Sequence, residues 1–325
     1  MSWAPPPPVL DSAVHAALPA SLRKPGVVTE WSRANKGGAA VDSFIEGPCF
    51  DPQGNLYIVD IPHGRIFRIA ASGMFAGSPA SGVAAAPEWQ LVAEYDGEPN
   101  GLAWHPQHKL LIADYKNGVL ALDPTFDPTL DPAHGGSLRT PTVVIARRNG
   151  ERFKGPNDLI VARNGDIYFT DQGQTGLSDP TGRVYRLAPS GRLDCLLANG
   201  PSPNGLVLDA EEKVLFVAMT RDNAVWRLPL QADGGTSKVG RFASFHGTSG
   251  PDGLAMDAHG NLFVAHASLG SVFVLTPHGE PLARIASCAG RTLTNVAFDP
   301  RDAQRLFITD SSTGSVLSAR CALGG

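Results

Sequence analysis

The 325-residue sequence predicts an all-β fold, a single six-bladed β-propeller of four-stranded blades, on three observations. A short polar residue followed by an apolar, strand-like run recurs six times: Glu46 (EGPCFD), Asn100 (NGLAWH), Asn157 (NDLIVA), Asn204 (NGLVLD), Asp252 (DGLAMD) and Asn295 (NVAFDP). Successive anchors stand 54, 57, 47, 48 and 43 residues apart, the size of one four-stranded β unit rather than of a helical repeat. The same order of strands then follows every anchor.

The first strand of each unit begins at its anchor. The second strands read LYIVD from Leu56, LLIAD from Leu110, IYFTD from Ile167, LFVA from Leu215, LFVAH from Leu262 and LFITD from Leu306, each bounded by turn residues. Third strands follow as RIFRI, GVLAL, RVYRL, AVWRL, SVFVL and SVLSA. Five fourth strands are legible, WQLVAEY, TVVIARR, RLDCLLA, VGRFASF and PLARIAS, so the sixth must come from elsewhere. VVTEW (Val27 to Trp31) is the expected donor: an N-terminal strand paired into the last blade closes the ring and protects its open edge. An open solenoid would want polar capping units at both ends, and none is seen. The expected organisation is a Pro-rich leader over residues 1–26 and one propeller domain over 27–325.

Composition supports a folded, water-facing chain. Charged residues at 18% and hydrophobic ones at 42% are globular values. A formal net charge of −4 and the lack of any Lys/Arg run interleaved with aromatics argue against nucleic acid as a partner. The N-terminus has no basic start followed by an apolar segment, and no apolar stretch approaches the ~20 residues that span a bilayer. A soluble cytoplasmic protein without membrane partners is expected, of open oligomeric state. Cys49, Cys195, Cys288 and Cys321 show no C-x-x-C and read as buried free thiols. Two insertions, residues 70–88 and 123–140, read as surface loops, with a lid as the sharper alternative.

In a propeller the first strands line the axis, so the six anchors should converge at one face. Carboxylates and amides without Cys or convergent His form an oxygen donor set, which suits a hard divalent cation, Ca²⁺ first, with Mg²⁺, Mn²⁺ or Zn²⁺ as alternatives. The plainer reading is that Asn-Gly and Asp-Gly supply tight turns. It weakens across all six, because Glu46 precedes Gly-Pro and Asn157 precedes Asp: the polar residue recurs while the turn residue does not.

From EGPCFDPQGNLYIVD through GERFKGPNDLIVARNGDIYFTD, PNGLVLDAEEKVLFVA, GPDGLAMDAHGNLFVA and TLTNVAFDP, the chain resembles the senescence marker protein/gluconolactonase family (SMP-30/gluconolactonase/LRE-like) of six-bladed propellers, across residues 27 to 320. The resemblance implies a metal-dependent lactonase acting on a small-molecule, sugar-derived lactone. A phosphotriesterase-like hydrolase and a non-catalytic propeller binding a small ligand or protein are the alternatives. Carried over by position, it implies Glu46, Asn157, Asn204 and Asp252 as metal ligands, with Asp252 also the base that activates water. Asn100, Arg152, Asp171, His266 and Asn295 fall on the substrate side. Animal members carry an Arg two residues before the Asn157 position, where this chain has Gly155, and Arg152 is the nearest arginine.

Overall fold

The computed structural model describes residues 6–71, 87–105, 109–124 and 138–323. It is all-β apart from short helical turns. After β1 (Val9–Ala17) and a one-and-a-half-turn helix α1 (Glu30–Asn35), the chain runs through successive four-stranded antiparallel meanders. The first is β2 (Ile45–Phe50), β3 (Leu56–Asp60), β4 (Arg65–Ile69) and β5 (Trp89–Glu94); the second is β6 (Pro99–His105), β7 (Lys109–Asp114), β8 (Gly118–Leu122) and β9 (Thr142–Ile145). A small hairpin, β10 (Arg147–Arg148) and β11 (Glu151–Arg152), leads to β12 (Pro156–Val161), β13 (Ile167–Asp171), β14 (Gly182–Leu187) and β15 (Leu193–Gly200). The next sheet is β16 (Pro203–Leu208), β17 (Val214–Met219), β18 (Ala224–Pro229) and β19 (Gly240–Ser244). The last eight-stranded sheet joins β20 (Pro251–Met256), β21 (Leu262–His266), β22 (Ser271–Leu275) and β23 (Pro281–Ala286) to β24 (Leu293–Asp299), β25 (Asp302–Asp310) and β26 (Ser315–Arg320), with β1 between β23 and β26. The expected second and third strands and the five legible fourth strands all occur.

Apolar residues alternate between the two faces of each sheet, and both faces are covered. That is why the strands read as unbroken apolar runs rather than as alternating ones. Tyr57 and Val59 pack with Leu102, Leu110 and Ile112 of the next sheet, while Leu56 and Ile58 turn the other way to meet Phe307, Val316 and Ala16. Similar clusters join the second sheet to the third through Phe169 and Tyr185, the third to the fourth through Tyr168 and Val217, the fourth to the fifth through Phe216 and Val264, and β20–β23 to β24–β26 through Phe263 and Leu306. The first strands also touch in sequence, β2 to β6, β6 to β12, β12 to β16, β16 to β20 and β20 to β24, and β24 touches β2 again.

The strand beside β26 is not the expected one. Val9–Ala17 pairs antiparallel with β26 and parallel with β23, inside the segment read as a leader, whereas Val27 and Val28 belong to no strand and Trp31 lies in α1. An outer strand with solvent on part of its surface tolerates Asp11, Ser12 and His15, so β1 carries little apolar signal. The start of α1 was legible in hindsight: Thr29 and Ser32 cap each other's backbone N–H groups. Of the cysteines, Cys49 and Cys321 are buried as expected, Cys195 is partly buried, and Cys288 is exposed. The two insertions lie largely outside the described residues. No helix among the described residues is long and apolar enough to cross a membrane.

Candidate functional site

The anchors sit in strands, not in turns. Each lies at a break in the pairing of a first strand with its second, between Glu46 and Cys49, Pro99 and Gly101, Pro156 and Leu159, Pro203 and Leu206, Pro251 and Leu254, and Leu293 and Asn295. Such bulges re-aim a side chain out of the pleat. Proline precedes four of the six anchors, at Pro99, Pro156, Pro203 and Pro251, and lacks an N–H, so no ladder donor is stranded there. The glycines that follow serve close packing. A Cβ on Gly101 would collide with Asp158, one on Gly205 with the backbone at Asp252 and Gly253, and one on Gly253 with Asn295. Only Gly47, at φ 58°, also needs a left-handed backbone.

Hydroxyl groups at the ends of the second strands lock these bulges to one another. Thr170 Oγ1 accepts from the Asp158 N–H (3.1 Å) and donates to the Asn204 carbonyl of the next sheet (2.8 Å). Thr220 donates to the Pro251 carbonyl (2.8 Å), Thr309 accepts from the Asn295 N–H (2.9 Å), and Ser311 donates to the Ile45 carbonyl (2.6 Å).

The result is a cavity of about 720 Å³ whose wall includes Glu46, Asn100, Asn157, Asn204 and Asp252. Asn295 lies beneath, its amide donating to Glu46 (3.0 Å) and Asp158 (3.4 Å). The Asn157 amide nitrogen donates to Gln172 Oε1 (2.9 Å), and the Gln172 amide nitrogen in turn donates to Ser202 Oγ (2.9 Å). With its nitrogen committed, Asn157 keeps its oxygen for the cavity. Asn204 is hydrogen-bonded to Asp252.

Charge is concentrated here at a cost. Burial pushes the Asp252 carboxyl up to about 8, aided by the negative charge of Asp158. Burial likewise lifts Asp158 to about 7, and it raises Glu46 well above the carboxylate range, with Asp252 and Asp158 adding to the effect. Three buried acids, with Asp158 raising both Asp252 and Glu46, suit a site that takes up positive charge. The donor set is all oxygen, which fits a hard divalent cation. Among the described residues no three His, Cys, Asp or Glu side chains converge as a metal shell; the amides of Asn157 and Asn204 are further oxygen donors lining the same cavity.

Three of the expected substrate-side residues lie elsewhere. Arg152 is exposed on the β10–β11 hairpin, beside a separate shallow pocket of about 270 Å³ that Tyr95 and Arg147 also line. Asp171 is fully buried and accepts from the Gly155 N–H (2.8 Å), pinning the loop that leads into β12. Asp60, Asp114 and Asp310 hold backbone N–H groups of neighbouring loops in the same manner. His266 is packed against Phe245 and Phe273, and burial lowers its pKa, so it is a neutral ring inside the wall. The sequence reading missed Asp158, Lys36, Arg221 and Ser202. Asp158 did leave one signal: it stands where four other anchors are followed by glycine.

Residues 44–312 match the family described as SMP-30/Gluconolactonase/LRE-like region. The chain belongs to this family. A gluconolactonase of Zymomonas mobilis is 31% identical over 293 residues, covering 82% of this chain and 76% of that protein. Among solved structures, a gluconolactonase of Xanthomonas campestris superposes with a TM-score of 0.69 at 25% identity, over 95% of this chain and 98% of its own. Regucalcin of Agrobacterium tumefaciens, a calcium-binding protein, gives 0.66 at 21% identity over 96% and 95%, a likeness of fold. The family match spans every anchor from Glu46 to Asn295, so the bulges lie wholly within it, whereas Trp31, Asn35 and Lys36 of the cavity wall lie before it.

Proposed function

We propose that the protein is a divalent-metal-dependent lactonase that opens a sugar lactone in the cavity between the first strands. The observation that carries this reading is the convergence of Glu46, Asp252 and the amides of Asn157 and Asn204 on one cavity, over the buried Asp158. The gluconolactonase names of relatives from Zymomonas mobilis and Xanthomonas campestris support the reaction, and the calcium-binding neighbour supports Ca²⁺ as the ion.

In this reading Glu46, Asn157, Asn204 and Asp252 hold the ion. When bound, it supplies Lewis acidity toward the lactone carbonyl and offsets the negative charge that develops there. Asp252 takes a proton from the attacking water and returns it to the ring oxygen as the carbon–oxygen bond breaks, giving a hydroxy acid. Asn204, hydrogen-bonded to Asp252, fixes the direction of that carboxylate. Gln172 fixes Asn157, and Asn295 fixes Glu46 from below. Asn100, on the cavity wall, is placed to meet the sugar hydroxyls. Glu46→Gln, nearly isosteric, should weaken Ca²⁺ binding by at least tenfold in a calorimetric titration while the melting temperature of the metal-free protein is unchanged or higher. An unaltered affinity would remove Glu46 from the metal shell.

The same reading takes the scaffold as six blades closed through β1. The return contact from β24 to β2 and the pairing of β1 with β26 support it. Deleting residues 9–17 should then expose the edges of β23 and β26 and yield a protein that aggregates or melts at least about 10 °C lower. A deletion variant with the parent's melting temperature and solubility would show that closure does not depend on this strand.

A further inference from the structure

Two cations in the cavity wall have no role in the reading above. Lys36, at the end of α1, and Arg221, in the turn after β17, both line the same cavity as Glu46 and Asp252. Neither stands within ion-pair distance of a carboxylate among the described residues, although the charge of each is felt by Asp252. Both are nevertheless placed. The Lys36 ammonium lies over the rings of Phe44 (4.7 Å) and Trp31 (5.7 Å), and the stem of Arg221 runs alongside Gly176 in the β13–β14 connection of the neighbouring sheet. Cation–π contacts hold Lys36 in position without neutralising it, so its charge remains available to a ligand.

We propose that the lactone accepted here carries an anionic substituent, a carboxylate or a phosphate, received by Arg221 and Lys36 while the reacting carbonyl faces Asp252. The inference rests on the lactonase reading and narrows it. A divalent ion together with Lys36 and Arg221 outweighs the three acids Glu46, Asp158 and Asp252, so the loaded cavity carries a positive excess. Closing such a pocket over a neutral sugar would strip water from these cations without a partner, whereas an anionic substituent meets them with charge-assisted hydrogen bonds. The remaining wall suits the rest of a sugar: Tyr115, Gln174 and Ser178 offer hydroxyl and amide groups. The carboxylate freed by ring opening forms beside Asp252 for any lactone. It therefore cannot explain a preference among substrates.

The test compares kcat/KM for three lactones of one ring size: a neutral aldonolactone, the monolactone of the corresponding sugar diacid, and the aldonolactone phosphorylated at its far hydroxyl. The cation-loaded wild type, Arg221→Gln and Lys36→Met are each assayed at low and high salt. At least one anionic lactone should exceed the neutral one by tenfold or more, through KM, and salt should reduce the advantage. Arg221→Gln should cut the anionic-to-neutral ratio at least tenfold, and whichever of the two anionic substrates leads identifies the substituent. A neutral lactone preferred by the wild type, or a ratio unmoved in both variants, overturns the proposal while leaving lactonase activity in place. Calorimetry with the ring-opened sugar diacid gives a readout independent of turnover. If no lactone is hydrolysed, the lactonase reading fails, and diacid binding that is equal in wild type and Arg221→Gln would overturn the anion pocket as well.

Discussion

Asp252→Asn should lower kcat for lactone hydrolysis by about 10²- to 10⁴-fold at saturating cation, the range that a positioned general base contributes, with the fold intact by circular dichroism. The substitution replaces one carboxylate oxygen by an NH2 group and leaves the shape unchanged. Asp252 is buried in β20 beside Asn204, and its carboxyl is poised at about 8 before any cation is bound. A carboxylate in this position can accept a proton from water, and its conjugate acid can return the proton to the leaving alkoxide. Asparagine can still offer an oxygen ligand to the ion but cannot take the proton. A variant that binds cation and retains wild-type kcat would remove Asp252 from the base's role. If kcat is lost only in step with lost cation, Asp252 is a ligand and no more.

The metal-free protein should lose thermal stability as the pH rises from about 5 to 9, and Ca²⁺ should abolish that loss. Asp158 and Asp252 are lifted to about 7 and about 8, and Glu46 is raised with them, all from ordinary carboxylate values. Between the unfolded and folded values the native chain binds more protons than the unfolded one, so stability falls as pH increases. Each pH unit over which one such group keeps its proton only in the folded state costs about 1.4 kcal/mol. Two units' worth should lower Tm by about 5 °C in a chain of this size. A divalent cation takes the protons' place at high pH, so the stabilisation by Ca²⁺ should grow with pH. A flat Tm profile in chelator, or an equal Ca²⁺ effect at pH 5 and pH 9, would contradict this picture of the buried acids.

The sequence made the repeat legible because both faces of every sheet are buried, leaving long apolar runs between turn residues. The anchors were legible for a different reason: bulged first strands need a polar side chain aimed out of the sheet and a small residue behind it. Glu46, Asn100, Asn157, Asn204 and Asp252 do share one cavity wall. The glycines after them misled as turn signals, since Gly101, Gly205 and Gly253 make room for the neighbouring strand instead. The strand beside β26 was misplaced because a half-exposed outer strand needs few apolar residues, whereas Val27 and Val28 look like a strand and are not one. That error also hid Lys36, which reaches the cavity only because the segment around it forms α1. Asp171 and His266 fall at the right end of their strands for a site, yet the loops they pin and the rings they meet lie within the wall. Spacing locates a residue along a strand, but not which of its neighbours claims the side chain.

The most direct measurement is hydrolysis of a sugar-lactone panel by the chelator-treated protein before and after addition of Ca²⁺, with Mg²⁺, Mn²⁺ and Zn²⁺ in parallel. The account predicts negligible ring opening above the spontaneous rate in chelator and recovery on adding back at least one of these ions, with Glu46→Gln requiring more of it. Undiminished hydrolysis after complete metal removal, or none with any ion, would contradict it.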